Sequence, residues 1–168
     1  MKKTGLVSLL VILTTLFSYA QDVSITTFIL VRHAEKADDR TKNPNLSAED
    51  YKRVEALTRL LERIDIDAVY STDYKRTRNT VRQLASNREI EVQFYRPGDP
   101  AAIEKMIADH RGQTIVVSGH SNTIPGIANQ LLGGKQFADF NESDYGNVLI
   151  VSITSGTTRA ATVTHLRH

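Results

Sequence analysis

Apolar and polar positions along this chain switch repeatedly between a strand-like and a helix-like period. Ile25–Val31 is a β-rich apolar run and predicts a buried first strand. Residues 34–45 are polar and charged and contain Pro44, which predicts a loop. Ser47-Ala48-Glu49-Asp50 resembles a capping box with Asp in place of Glu. Tyr51, Val54, Leu57, Leu60, Leu61 and Ile64 then recur at helical spacing and predict a core-facing stripe. Ala68-Val69-Tyr70 predicts a short second strand, Lys75–Ala85 a helix, and Ile90–Tyr95 a third strand. Asp99-Pro100 reads as an N-cap followed by Pro in the first helical turn, opening a helix through Ile103, Met106 and Ile107. Thr114–Ser118 predicts a fourth strand, and after Gly119 a helix runs to Leu132 and stops at Gly133-Gly134. Val148–Ile153 and Arg159–Leu166 predict two closing strands around Thr154-Ser155-Gly156-Thr157.

Repeated strand–helix–strand units predict an α/β fold. Its form is a three-layer sandwich with a mostly parallel central sheet, helices on both faces and an antiparallel C-terminal strand. No internal repeat, linker or low-complexity segment interrupts the pattern.

The first twenty residues stand apart. Lys2 and Lys3 precede an apolar stretch from Leu6 to Phe17, and Ser18-Tyr19-Ala20 offers small residues where a signal peptidase reads. The expectation is a signal peptide over 1–20 and one domain over 21–168. The apolar stretch is short for a membrane span, so no stable membrane insertion is expected after cleavage; an uncleaved N-terminal anchor is the alternative. Localisation would then be periplasmic or secreted. Taking these twenty residues from 168 leaves 148, enough for one compact domain. Removing Lys2 and Lys3 from the 21 basic residues leaves 19, equal to the 19 acidic ones. That balance argues against a nucleic-acid surface. The chain has no Cys, which excludes disulfides and thiolate metal sites. No His pair at ligand spacing suggests a metal site, and Asp38-Asp39 reads as solvated loop.

The chemistry gathers where strands end. Arg32-His33 follows the first strand, Ser71–Thr80 follows the second, and Ser118-Gly119-His120-Ser121-Asn122 follows the fourth. In open α/β sheets ligands bind beyond the carboxyl ends of strands, so one site can receive Arg32, His33, Arg76 and His120. Two guanidinium forks suit the charged equatorial oxygens of a phosphoryl group in transfer. A neutral imidazole can attack phosphorus, and neighbouring arginines disfavour its protonation. The remaining features have plainer readings: His110 as a helix-end residue, Arg78 as a solvent-facing one, and His165 and His168 as terminal residues without ligand spacing. Lys75, Arg76, Arg78 and Arg82 together could also form a basic face for an acidic partner.

Leu30-Val31-Arg32-His33-Ala34-Glu35 resembles the Arg-His-Gly/Ala signature of the histidine phosphatase superfamily, the phosphoglycerate mutase-like proteins. Ser71–Thr80 resembles its second motif, with Arg76 at the phosphate-binding arginine. Val117-Ser118-Gly119-His120 resembles its late Gly-His motif, and Leu46-Ser47 fits a common pattern after the first loop. The resemblance implies the small single-domain form of that fold and a phosphohistidine intermediate, with no metal or organic cofactor. It implies that His33 is the nucleophile, that Arg32 and Arg76 bind the phosphoryl group, and that His120 stabilises the transition state.

Two departures bear on mechanism. Arg76-Thr77-Arg78-Asn79-Thr80 replaces the usual Arg-Ala followed by Gln-Thr, and Ser121 follows the late histidine where the acid phosphatase branch has its proton-donating Asp. The general acid is therefore unassigned, with Asp99 and Glu35 as candidates. The short stretch between Arg76 and His120 leaves little room for a substrate-covering insertion and predicts an open site. The expected function is an exported phosphatase acting on phosphomonoesters, small or surface-borne. The alternatives are a phosphate- or phosphoprotein-binding module without turnover, and a phosphomutase. Substrate identity and oligomeric state are not encoded in these features.

Overall fold

The structure is a computed structural model that describes residues 23–35, 37, 40–47, 50–155 and 159–167. The expected signal segment lies outside the described residues, as do Asp38, Asp39, His168 and part of the final turn.

Ten elements follow the predicted order: β1 (Ile25–Arg32), α1 (Tyr51–Leu60), β2 (Ala68–Ser71), α2 (Lys75–Ser86), β3 (Val92–Phe94), α3 (Pro100–Asp109), β4 (Thr114–Gly119), α4 (Thr123–Leu132), β5 (Asn147–Thr154) and β6 (Ala161–Arg167). The six strands form one sheet in the order β3-β2-β4-β1-β5-β6. The four strands from β3 to β1 run parallel, and β5 is antiparallel to both β1 and β6. The register sets Arg32 beside Gly119 and Ser71 beside Ser118, so the ends of β1, β2 and β4 lie level at one sheet edge. That edge receives all three sequence motifs.

Alternate β1 residues enter opposite layers. Phe28 and Leu30 pack with Ile103 and Met106 of α3 and Ile124 and Leu131 of α4. Ile29 and Val31 pack with Leu57 of α1 and Val81 and Leu84 of α2. Apart from Ile25 at the start of β1, the β1 and β4 apolar residues are almost fully buried, as expected for parallel strands covered on both faces. Among the described residues no helix is long and apolar enough to cross a membrane.

Several local expectations shift. α1 starts at Tyr51, and only Val54 and Leu57 of its residues are buried, with Leu61 just beyond its end. Tyr51 and Leu60 remain exposed, because the stripe is wider than the face the sheet can cover. Asp50 accepts the Ser47 backbone N–H and its hydroxyl ahead of the helix, but its side chain caps no N–H of the first turn of α1. β3 is only three residues long, since it pairs with β2 alone at the sheet edge. Asp99 caps α3 through the Ala101 N–H, with Pro100 opening the helix, as the sequence predicts. Gly133 ends α4 at φ 71°, a left-handed conformation that favours glycine.

Candidate active site

His33 leaves β1 with its backbone N–H bonded to Gly119 O at 2.9 Å, which ties the first motif to the third. Its Nδ1 lies 2.6 Å from Ala34 O. A carbonyl only accepts, so Nδ1 carries the hydrogen and the Nε2 lone pair is left for chemistry. The ring is buried, 5% exposed. Burial is the main force lowering its pKa from 6.5 to about 4; the bond to Ala34 O opposes it, and Arg76, His120 and Arg32 reinforce it. The side chain is thus a neutral, oriented imidazole at neutral pH.

His120 sits against it, with ring centroids 5.4 Å apart and planes at 68°. A hydroxyl chain fixes its tautomer. Thr77 Oγ1 donates to Thr72 O, and Thr72 Oγ1 donates to Thr77 Oγ1. Thr72 Oγ1 can then only accept from His120 Nε2, at 3.1 Å. His120 Nδ1 is left to accept from Arg76 Nη2 at 3.3 Å. Burial, then Arg76 and Arg32, lower the His120 pKa from 6.5 to about 4, with Glu142 opposing. Tyr74 packs edge-on to this ring and beneath the Arg76 guanidinium, 4.7 Å from Cζ to the ring centroid.

Arg32 is held differently. Its Nη1 donates to Asn141 O at 2.6 Å and Asp144 O at 2.9 Å, and its Nη2 donates to Glu142 O at 2.9 Å. The guanidinium lies 4.0 Å from the Tyr145 ring centroid, and that ring lies 6.1 Å from His33. Arg32 Nε is buried without a hydrogen-bond partner among the described residues. A buried orphan donor on a cationic group is costly, and an anion beside it would remove the cost.

α2 links the parts. Thr80 Oγ1 accepts from Ala34 N at 2.9 Å and donates to Arg76 O at 2.8 Å, which couples the turn after His33 to the backbone of Arg76. Ser118 Oγ donates to Thr77 O, joining β4 to the same helix. Leu46 closes the first loop over Ala34 and Val54. Gly119 is a close-approach position: a Cβ there would meet Thr123 Oγ1 and Tyr95 Oη at 2.8 Å.

The structure thus brings His33, His120 and Arg76 to one place and sets Arg32 behind them. It does not favour either acid read from the sequence. Burial raises the Glu35 pKa, but Arg53, at 2.5 and 2.8 Å, overrides it and holds the carboxyl below its ordinary value. Glu35 therefore stays ionised. Asp99 caps α3 and lines a neighbouring cavity of about 340 Å³ with Tyr95, Ile103, Thr123 and Ile127. Arg78 turns to Asp73 at 3.0 Å. His110 bonds Tyr70 and Gln113, and His165 bonds Asn147. Sequence reasoning missed the hydroxyls of Thr72 and Thr80, the rings of Tyr74 and Tyr145, and residues 141–144. The threonines lay within a motif that was read for its arginine alone.

Residues 28–96 match the family model of the histidine phosphatase superfamily, branch 1. No curated protein matches the sequence. Among solved structures, the fold resembles the protein histidine phosphatase SixA in complex with tungstate, at 14% identity and TM-score 0.65 over 84% of this chain and 96% of that one. It also resembles the α-ribazole phosphatase of Shigella flexneri, at 18% identity and TM-score 0.62 over 84% and 96%. A third is a mycobacterial glucosyl-3-phosphoglycerate phosphatase, at 11% identity and TM-score 0.63 over 77% and 91%. Residues 28–96 thus carry the sequence pattern of the histidine phosphatase superfamily, and the described chain has the fold of the phosphatases it resembles.

Proposed function

We propose that this chain is an exported, metal-independent phosphatase that hydrolyses phosphomonoesters through a phosphohistidine on His33. The observation that carries this is the buried, neutral His33 ring 5.4 Å from that of His120, with Arg76 bonded to His120 and the orphan Nε of Arg32 nearby in the same cluster. Such a site holds a tetrahedral oxyanion by positive charge and fixed donors, which is the main requirement of phosphoryl transfer. In the first step His33 Nε2 forms a bond to phosphorus as the ester P–O bond breaks and the leaving oxygen gains a proton. In the second, water attacks phosphorus, the P–N bond breaks, and its electron pair returns to Nε2. Arg76 and Arg32 neutralise the equatorial oxygens throughout. His120, once an anion offsets the arginine field, gains a proton and donates to the same oxygens.

The substrate class follows from openness. Between Arg76 and His120 the chain holds only the rest of α2, β3, α3 and β4, too little for a substrate-covering insertion, which supports access by the phosphate of a small molecule or of a larger surface. The phosphatase neighbours support the same reading. Export rests on Lys2, Lys3 and the apolar run to Phe17, and predicts a mature protein beginning at Gln21 by mass spectrometry.

Acid- and base-quench labelling with a [³²P]-aryl phosphate tests the mechanism. A base-stable, acid-labile label on His33, lost in His33→Ala, is expected, and a chelator should leave the rate unchanged. Steady turnover with no label, or with an acid-stable one, would reject it. Binding without turnover is the rival reading, favoured by the commitment of Glu35 to Arg53. It predicts vanadate binding with no release of aryl alcohol.

A further inference from the structure

Proton transfer to the leaving oxygen has no owner among the two acids read from the sequence, and the structure offers another. We propose that Glu142, on the connection between α4 and β5, is the proton-transfer residue of this site. The inference rests on the phosphohistidine reading above.

Glu142 reaches the site through three contacts. Its carboxylate accepts from Ser121 Oγ at 2.7 Å, and Ser121 is the residue directly after His120. Its second carboxylate oxygen lies 3.5 Å from Arg32 Nη2. Its own carbonyl accepts from that same nitrogen at 2.9 Å, so backbone and side chain are both registered to Arg32. Electrostatically it is a neighbour of His120, Arg76 and Tyr145 as well. The other nearby described acids are engaged elsewhere. Glu35 is bound to Arg53, Asp73 to Arg78, Asp144 to Arg167, Asp50 to Ser47, and Asp99 to the first turn of α3.

Depth argues the same way. Displacement at phosphorus is in line, so the leaving oxygen lies opposite His33. His33 attacks from the buried floor, and the opposite position is therefore the mouth. The Glu142 side chain is 77% exposed while its Arg32 partner is 1% exposed, so the carboxylate faces solvent beside the buried guanidinium, on the side from which a substrate enters. In the first step the carboxyl, which takes up a proton in the substrate complex because the negative charge of the bound phosphate lies beside it, gives that hydrogen to the ester oxygen as the P–O bond breaks and the bond to Nε2 forms. In the second the carboxylate takes a proton from water as the water oxygen bonds to phosphorus and the P–N bond breaks. Inorganic phosphate leaves, and the carboxyl is protonated again for the next cycle.

The test uses Glu142→Gln and Ser121→Ala against substituted aryl phosphates of rising leaving-group basicity. Loss of a general acid costs about 10²–10⁴ in rate. Glu142→Gln should therefore lose little on p-nitrophenyl phosphate in the bond-breaking step and about 10²-fold or more on the most basic phenols. It should also accumulate phosphohistidine, because water attack is slowed. Ser121→Ala, which only frees the carboxylate, should show the same trend more weakly. A carboxylate that merely positions Arg32 would depress every substrate alike and accumulate no label. Equal losses across the series, or none, would overturn the proposal while wild-type labelling left the phosphatase reading intact. Absence of label in the wild type would remove both.

Discussion

The two buried imidazoles make the stability of the fold depend on pH, and the size of the effect follows from their surroundings. His33 is lowered from 6.5 to about 4, first by burial and then by Arg76, His120 and Arg32. His120 is lowered to about 4 by burial, Arg76 and Arg32. The unfolded chain therefore binds protons that the folded chain refuses. Stability from this source is complete above pH 6.5, falls as pH drops from 6.5 toward 4, and changes no further below that. Between about pH 7.5 and about pH 5, the linkage relation gives a loss of about 2 kcal/mol for His33. His120 is less buried, and solvent screening reduces its share to about 1 kcal/mol. Carboxylates are mostly ionised across that window, which leaves the imidazoles as the main titrating groups.

Urea unfolding at the two pH values measures this directly. Wild type should lose about 3 kcal/mol on acidification, His120→Gln about 2, and the double variant His33→Gln/His120→Gln little. The variants also cancel contributions from His110 and His165, which they retain. A wild-type loss below about 1 kcal/mol would refute the claim that both rings are held neutral by the fold. So would a double variant that loses as much as wild type.

Thr80→Val keeps the shape but strands the buried Ala34 N–H, which now bonds Thr80 Oγ1 at 2.9 Å. It should cost about 1–3 kcal/mol in denaturant unfolding and lower kcat by displacing His33 from Arg76. Gly119→Ala puts a methyl group 2.8 Å from Tyr95 Oη and Thr123 Oγ1 and 2.9 Å from Ile124 Cδ1. Calorimetry should show a destabilisation of about 1–3 kcal/mol. Activity should fall further than stability, because Thr123 Oγ1 accepts the His120 backbone N–H. Arg76→Lys retains the charge but loses the fork, so kcat/KM should fall by about 10²–10³ with unfolding unchanged, and vanadate inhibition should weaken in parallel.

The order of elements was legible because each strand is a short apolar run closed by a polar motif, as in Val69-Tyr70-Ser71 and Val117-Ser118-Gly119. His33, Arg76 and His120 were legible for the same reason, since a parallel sheet delivers all strand ends to one edge. The parts that escaped have no side-chain pattern. Residues 133–146 lack periodicity, yet Asn141, Glu142 and Asp144 hold Arg32 through backbone carbonyls that any sequence provides. Glu35 stood among the candidate acids because its partner, Arg53, lies 18 residues away, on a helix whose polar face gives no sign of turning inward. Boundaries slipped where pairing, rather than composition, decides the end: β1 runs on to Arg32 because Gly119 pairs with it.

The two arginines divide the work, and the division explains why the imidazoles are neutral. A carboxylate could have anchored the buried end of Arg32, but it would have cancelled the charge. Three backbone carbonyls anchor it and leave its full charge in place, while the Glu142 carboxylate stands exposed at 3.5 Å, where water screens it. Among the described residues the Arg76 guanidinium is anchored by the face of Tyr74 and by His120 Nδ1, and its remaining donors can turn to an anion. The uncancelled field of both guanidinium groups adds to burial in lowering the proton affinity of His33 and His120. It also attracts a phosphoryl group. An arriving anion offsets that field, and His120 regains affinity for a proton when negative charge comes within its reach. In the proposed mechanism His33 does not follow, because its Nδ1 hydrogen is committed to Ala34 O and its Nε2 would be bonded to phosphorus. On the proposed mechanism, one arrangement of charge would therefore keep the nucleophile ready and turn its neighbour into a donor only when the anion is present.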